Sequence, residues 1–282
     1  MPGVLYVVAT PIGNLSDLSP RAIDTLRTAD VVACEDTRTT QVLLARNAVR
    51  ARTTALHAHN ERAASATLLD ALRKGSAVAL VSDAGTPAVS DPGARLVESA
   101  HREGIAVIAV PGPNAAIAAW SASGFAADRF LFVGFLPATR AARCKAIEAL
   151  DPALPLLVYE APHRVMDTVE DLAARFGALR EIVIAREMTK KFEEIARLPL
   201  GAAHDWLAAS PHRQQGEFVL VLGPGEAGAG LREAEGERVL DILLESLPAS
   251  EAARLASRIT GAPKNALYRK AINTGKSIGA PK

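Results

Sequence analysis

The sequence holds little of what marks several broad protein classes. Aromatic residues make up 4% of its 282 positions, so a core has to be assembled from Ala, Val, Leu and Ile. Two cysteines, Cys34 and Cys144, lie far apart without metal or redox spacing. They read as reduced thiols of a cytoplasmic protein, not as a disulfide framework. The six histidines include a single close pair, His57 and His59, and no Cys/His cluster points to a metal. No apolar run approaches the roughly 18 residues of a membrane span. No charged segment precedes the apolar stretch Val4–Ala9, which reads as a first strand and not as a signal peptide. With a formal net charge of +1 there is no global basic footprint, so any nucleic-acid surface has to be local.

What is present is the composition of an ordinary globular chain, 49% hydrophobic and 22% charged, long enough for two packed domains. Val4–Ala9, Val31–Cys34, Ala77–Val81 and Ile105–Val110 are short, nearly continuous apolar runs, the pattern of strands buried on both faces of a parallel sheet. Helices are expected between them. One opens at Ser19-Pro20, an N-cap with proline at the first helical position, and others cover Glu61–Lys74, Ala94–Arg102 and Ala115–Ala122. Alternating strands and helices indicate an α/β fold, and ligands bind such sheets at the carboxyl ends of the strands. Three loops of Gly, Pro and polar residues (10–14, 82–93 and 111–115) follow strands and are expected to converge there. A second α/β unit, with strands at Leu156–Tyr159, Glu181–Ala185 and Glu217–Leu222, completes a cleft. The expected division is residues 1–135, 136–222, a Gly-rich linker 223–236, and a helical module 237–282. Within that module Ser250 reads as an N-cap. Residues 251–282 carry Arg254, Arg258, Lys264, Arg269, Lys270, Lys276 and Lys282 against the single acid Glu251.

The loop Ser82–Gly93 is the sharpest local signal, with two Ser-Asp pairs, two prolines and two glycines directly after a buried strand. Asp83, at the strand's end, is the expected ligand contact. Asp91, ahead of Pro92 at a helix start, reads as a helix cap. In Pro111-Gly112-Pro113-Asn114, Gly112 allows close approach and Asn114 either caps its helix or presents its amide to a ligand.

Together and in this order, LYVVATPIGNL (5–15), VACEDTR (32–38), HAHNE (57–61), VSDAGTPAVSDPG (81–93), PGPNA (111–115), FVGFLP (132–137), YEAPHRV (159–165) and AREMTKKFEE (185–194) resemble the ribosomal RNA small-subunit methyltransferase I family of the tetrapyrrole-methylase superfamily. The resemblance implies two α/β domains with S-adenosylmethionine in the cleft between them, a homodimer, and 2′-O-methylation of a cytidine in 16S ribosomal RNA near the decoding centre. The substrate would be naked RNA or the assembled 30S subunit. It also implies cofactor contacts at Ile12, Asp83, Thr86, Asn114 and Ala115, with Ala161 and Ala185 from the second domain. A ribose hydroxyl needs a nearby base to become a nucleophile. The candidates are Glu35 or Asp36, His57 or His59, Glu160 and Glu187, and residue types alone do not choose among them. Arg38, Arg164, Arg186 and Lys190 are expected at RNA phosphates, which suit arginine's fork. Two other functions fit the same fold: methylation of a small tetrapyrrole, and a ribosome-binding factor without turnover.

Overall fold

The computed structural model describes residues 2–225 and 229–275. Five parallel strands form the first sheet: β1 (Val4–Val8), β2 (Val31–Cys34), β3 (Arg52–Ala55), β4 (Ala77–Leu80) and β5 (Ala106–Val110), in the order β3-β2-β4-β1-β5. Successive side chains of a strand face opposite sides, and here both sides are apolar. Val8, Val32, Cys34 and Ala79 pack under α1 (Pro20–Thr28) and α2 (Thr37–Arg46). Leu5, Ala33, Val78 and Leu80 pack under α3 (Glu61–Arg73) and α4 (Ala94–Arg102). The Ser19 hydroxyl accepts from Ala22 N–H at the start of α1, with Pro20 following, as the sequence predicts.

The second sheet contains β6 (Leu131–Phe135), β7 (Leu156–Glu160), β8 (Glu181–Arg186), β9 (Glu194–Pro199) and β10 (Phe218–Leu222), in the order β6-β7-β10-β8-β9. Only β6 and β7 run parallel; the β7–β10, β10–β8 and β8–β9 pairs are antiparallel. One face packs on α6 (Arg140–Glu148), α7 (Val165–Phe176) and α8 (Ala203–Ala208). The other face, through Leu157, Val183, Ala185, Val219 and Val221, receives Ala116 and Ala119 of α5 (Ala115–Ser123). The small side chains of α5 let a helix that leaves the first sheet lie flat on the second, and this forms the joint between the halves.

Three expectations are corrected. Strand β6 belongs to the second sheet, so the boundary falls before Leu131 and not at 135; the bulge between Phe132 and Gly134 broke the strand pattern. Helix α9 (Ala229–Leu244) occupies much of the expected linker 223–236 and starts ahead of the predicted residue 237. Its glycines were read as flexibility, but Gly236 is a close-packing site where an added Cβ would stand 2.5 Å from the Ala262 Cβ. Ser250 is not an N-cap, because α10 (Ala249–Thr260) is entered from Pro248. Helices α9, α10 and α11 (Lys264–Gly275) share a core of Leu240, Ala252, Ala253, Ala256, Ala262, Leu267 and Ala271. Lys276 and Lys282 of the basic tail lie outside the described residues.

A buried ion pair braces the second domain: Arg143 Nε donates to Asp171 Oδ2 at 2.8 Å, and Arg140 Nε to Oδ1 at 3.0 Å. Burial opposes ionisation of Asp171, yet hydrogen bonds from the two arginines outweigh it and hold the carboxyl below its usual range. Its contribution to stability is therefore present above the unfolded-state carboxylate pKa and lost as pH falls through the lower folded value. Asp171→Ala leaves the buried Arg143 guanidinium with only the long contact to Asp167 Oδ2 at 3.7 Å, an expected loss of about 3 kcal/mol by urea denaturation at neutral pH. The gap from wild type should narrow in acid.

Candidate active site

Because β4, β1 and β5 are adjacent and parallel, the loops 82–93, 10–14 and 111–115 leave one edge side by side. Backbone bonds stitch them together. Thr10 N–H donates to Gly85 O at 2.8 Å, and Gly85 N–H donates back to Thr10 O at 3.1 Å. The Thr10 hydroxyl donates to Ser82 O at 3.0 Å, and the Thr86 hydroxyl reaches Pro113 O at 3.0 Å. Gly85 adopts φ +82°, where a side chain would be strained, and its missing Cβ leaves room for Ile12 Cγ2.

Against this edge the second sheet closes a cleft of about 380 Å³, within the range of small-molecule sites. Ile12, Thr86, Val89, Ala115, Ala161, Met188 and Val219 give it an apolar lining, and Ser90, Asp91, Asn114, Tyr159 and Glu160 supply polar groups. That mixture fits a ligand with an aromatic base, hydroxyls and a charged end. Asn114 combines both of its expected roles: its Oδ1 accepts from Ile117 N–H, capping α5, while the residue lines the cleft.

Of the expected cofactor contacts, Ile12, Thr86, Asn114, Ala115 and Ala161 line the cleft; Asp83 and Ala185 do not. Asp83 is exposed and its Oδ1 accepts from Asp36 N–H at 3.0 Å, tying the end of β4 to that of β2. Ala185 is fully buried beneath α5. Nor is Asp91 a cap. Helix α4 is entered from Gly93, and Gly93 N–H donates instead to Glu61 Oε1 at 2.9 Å. Asp91 lines the cleft, and burial, followed by the charge of Glu35, pushes its carboxyl up to about 6.

The candidate bases fall into two groups. Glu35 and His57 sit at the ends of β2 and β3, along the same edge but outside the cleft lining. Burial raises the Glu35 carboxyl, with Asp83 adding to it, and His57 Nδ1 is buried with no hydrogen-bond partner. His59 is exposed, its ring centroid 6.1 Å from that of His57. Asp36 forms a two-pronged bond with Arg38 and is held down to about 2 by it. Glu160 is buried and fully engaged, accepting from Ala161 N–H at 2.8 Å and the Thr168 hydroxyl at 2.6 Å, with Arg164 Nε 3.1 Å away. Glu187 accepts from Lys190 Nζ and Glu217 N–H; burial opposes its ionisation, but these bonds hold its carboxyl below the usual range.

The cations expected at phosphates divide too. Arg38 stands on the surface, its side chain 89% exposed. Arg164 is turned inward onto Leu136 O at 2.6 Å and Glu160, and Arg186 onto Phe192 O and Gln215 O. Lys190 bonds Glu187 and Glu217 at 2.8 Å each. Arg164, Arg186 and Lys190 are thus engaged within the protein around the cleft. Sequence reasoning missed Tyr159, Phe135, Met188 and Glu217 in the lining. Phe135, Tyr159 and Met188 stood inside recognised motifs, but no periodicity showed which of their neighbours turned inward.

Comparison with known proteins places this architecture. The profile of the Tetrapyrrole (Corrin/Porphyrin) Methylases matches residues 4–204, and that of the RsmI C-terminal HTH domain matches residues 231–274. The ribosomal RNA small subunit methyltransferase I of Pseudomonas aeruginosa is 47% identical over 279 residues, covering 98% of this chain and 99% of that protein. The protein of the same name from Mesorhizobium japonicum is 47% identical over 98% of this chain and 93% of its own. Among solved structures, diphthine synthase superposes with a TM-score of 0.58 at 17% identity, covering 78% of this chain and 89% of that one. A Thermus thermophilus uroporphyrin-III C-methyl transferase complexed with S-adenyl homocysteine gives 0.53 at 19%, covering 78% and 97%. Those two likenesses concern the fold alone. The near-full-length identity goes further, and the chain belongs to the ribosomal RNA small subunit methyltransferase I family within the tetrapyrrole methylases.

Proposed function

We propose that this protein transfers the methyl group of S-adenosylmethionine to the 2′-hydroxyl of a cytidine in small-subunit ribosomal RNA. The observation that carries the reading is the cleft at the joint of the two sheets, where residues of all three strand-end loops meet Tyr159, Ala161 and Met188 of the second domain. Ile12, Thr86, Asn114, Ala115 and Ala161 would hold the cofactor, which supplies an electrophilic methyl group on a sulfonium. The apolar lining excludes water, and the stitched loops fix the approach, so that alignment lowers much of the barrier. The names of the close relatives support RNA as substrate, and the fold neighbour complexed with S-adenyl homocysteine supports the cofactor. The reading includes a homodimer acting in the cytoplasm. Large apolar side chains left exposed on β5 and α5, Ile108 and Ile117, favour a second copy there.

Methylation of a tetrapyrrole is the second reading, because the same fold serves that chemistry in its structural neighbours. The helical module at residues 229–275 speaks against it. Arg258 and Lys264 of this module are exposed and make no ion pair among the described residues, and Arg254 is exposed with Glu251 3.6 Å away, so these side chains can meet a polyanion.

With labelled S-adenosylmethionine, label is expected in small-subunit RNA at a cytidine ribose; label entering only a corrinoid would overturn the RNA assignment. Asn114→Ala should lower cofactor affinity measured by calorimetry and remove about 1 kcal/mol of stability through the lost cap. Asp83→Ala, outside the cleft, should leave that affinity within about twofold, a shift well under the 1.4 kcal/mol of a tenfold change. Deleting residues 226–282 should weaken RNA binding and flatten its salt dependence, by roughly one logarithmic slope unit for each phosphate that the module neutralises. Cofactor affinity should survive that deletion, and an equal loss of both would show a folding role for the module.

A further inference from the structure

Aromatic side chains are scarce in this chain, 4% of its residues, and one of them is left bare inside the cleft. Phe135, the last residue of β6, lines the cleft with 57% of its surface exposed. Strand β6 is an edge of the second sheet, so the ring stands at the rim of the cleft and not in its floor. A single exposed apolar side chain is ordinary on a protein surface. Here it stands within the ligand site, and the backbone is bent to put it there.

Successive side chains of a strand point to opposite faces. Phe132 and Phe135, an odd number of positions apart, would therefore lie on opposite sides of a regular β6. The register shift between Phe132 and Gly134 resets that alternation, the usual way a bulge re-aims a side chain beside a site. Both rings consequently meet Tyr159 of β7. Phe132 does so with centroids 5.2 Å apart and 74° between the planes, and Phe135 with 5.5 Å and 58°. Gly134 makes the bulge possible: its φ is +69°, and an added Cβ would come within 3.0 Å of Ser90 Oγ. Tyr159 is itself anchored, its hydroxyl accepting from Ala116 N–H at 3.3 Å, and burial keeps the phenol neutral. Phe135 is thus a ring supported on one side by a fixed aromatic neighbour and otherwise open to solvent.

We propose that Phe135 is the platform on which the base of the target nucleotide stacks when its ribose enters the cleft. The inference rests on the RNA methyltransferase reading above. The 2′-hydroxyls of an A-form duplex lie in its minor groove, flanked by paired strands. A duplex cannot enter a cleft of about 380 Å³. The target nucleotide therefore has to leave its stack, and the base surface it uncovers needs a replacement face. An aromatic ring supplies one. The cofactor does not account for the bare ring. A small-molecule site buries most of its ligand's surface, whereas Phe135 keeps more than half of its own toward solvent, the side from which RNA arrives. Every base has a π-face, so the ring contributes affinity without choosing the base. Selection of a cytidine falls to other groups.

Phe135→Leu keeps an apolar side chain and removes the aromatic face. With unmethylated small ribosomal subunits as substrate, its KM should rise about tenfold or more, the usual worth of one stacked base. The value of kcat should change little, because stacking is present in the ground state and the transition state alike. Calorimetric affinity for S-adenosylhomocysteine should stay within about twofold of wild type. Phe135→Trp offers a larger ring and should restore the KM. Its additional tryptophan emission, measured against wild type, should be quenched by small-subunit RNA. An unmoved KM in F135L would overturn the proposal. So would a raised KM that F135W does not restore, or emission that the RNA leaves unquenched. A cofactor affinity that falls in F135L would assign the ring to the adenine of the cofactor and overturn it as well. If wild-type protein places no label in RNA at all, the methyltransferase reading itself fails, a result distinct from each of these.

Discussion

The site depends on two backbone hydrogen bonds between Thr10 and Gly85. They join the loop after β1 to the loop after β4 as a minimal antiparallel bridge laid across the ends of two parallel strands. The Thr86 hydroxyl then ties the second of these loops to Pro113 of the third, so that Ile12, Thr86 and Asn114 share a common wall. The bridge needs Gly85, because its backbone takes a positive φ and Ile12 fills the space a side chain would need. The Thr10 and Thr86 hydroxyls then satisfy carbonyls that the stitched loops would otherwise bury unpaired.

A second constraint is electrostatic. The cations nearest the cleft are matched to acids or carbonyls within the protein, leaving one acid in the cleft without a counter-charge.

Much of the first half was legible in the sequence. β1, β2 and β4 are continuous apolar runs because α-helices cover both faces of their sheet, β5 is equally apolar although it is an edge strand with Ile108 exposed, and Ser19 and Asn114 announced their helices by their capping chemistry. The convergence of the three loops also followed from order alone. The missed strands have physical reasons. β3, Arg52–Ala55, and β9, Glu194–Pro199, are edge strands without a continuous apolar run, each interrupted by polar side chains, and β6 is interrupted by its bulge. In the site, motif residues were found but their directions were not. Asp91 lines the cleft where a helix cap was expected, and Asp83 stands outside it, bonded to Asp36; the turn between them contains two left-handed residues, Ala88 and Ser90, neither of which is glycine. Nothing in residue type gives that turn away. Likewise Glu160, Arg164 and Thr168 form their network only once a strand and a helix are packed together.

The cleft takes its first wall residue from Ile12 and its last from Val219. A chain emerging during synthesis has no complete cleft until β10 has slotted between β7 and β8, long after the first sheet can close. The ligand then binds only completed molecules and shifts the folding equilibrium of both halves at once. Cellular cofactor supply thus acts on this protein twice, as methyl source and as a selective stabiliser of finished copies.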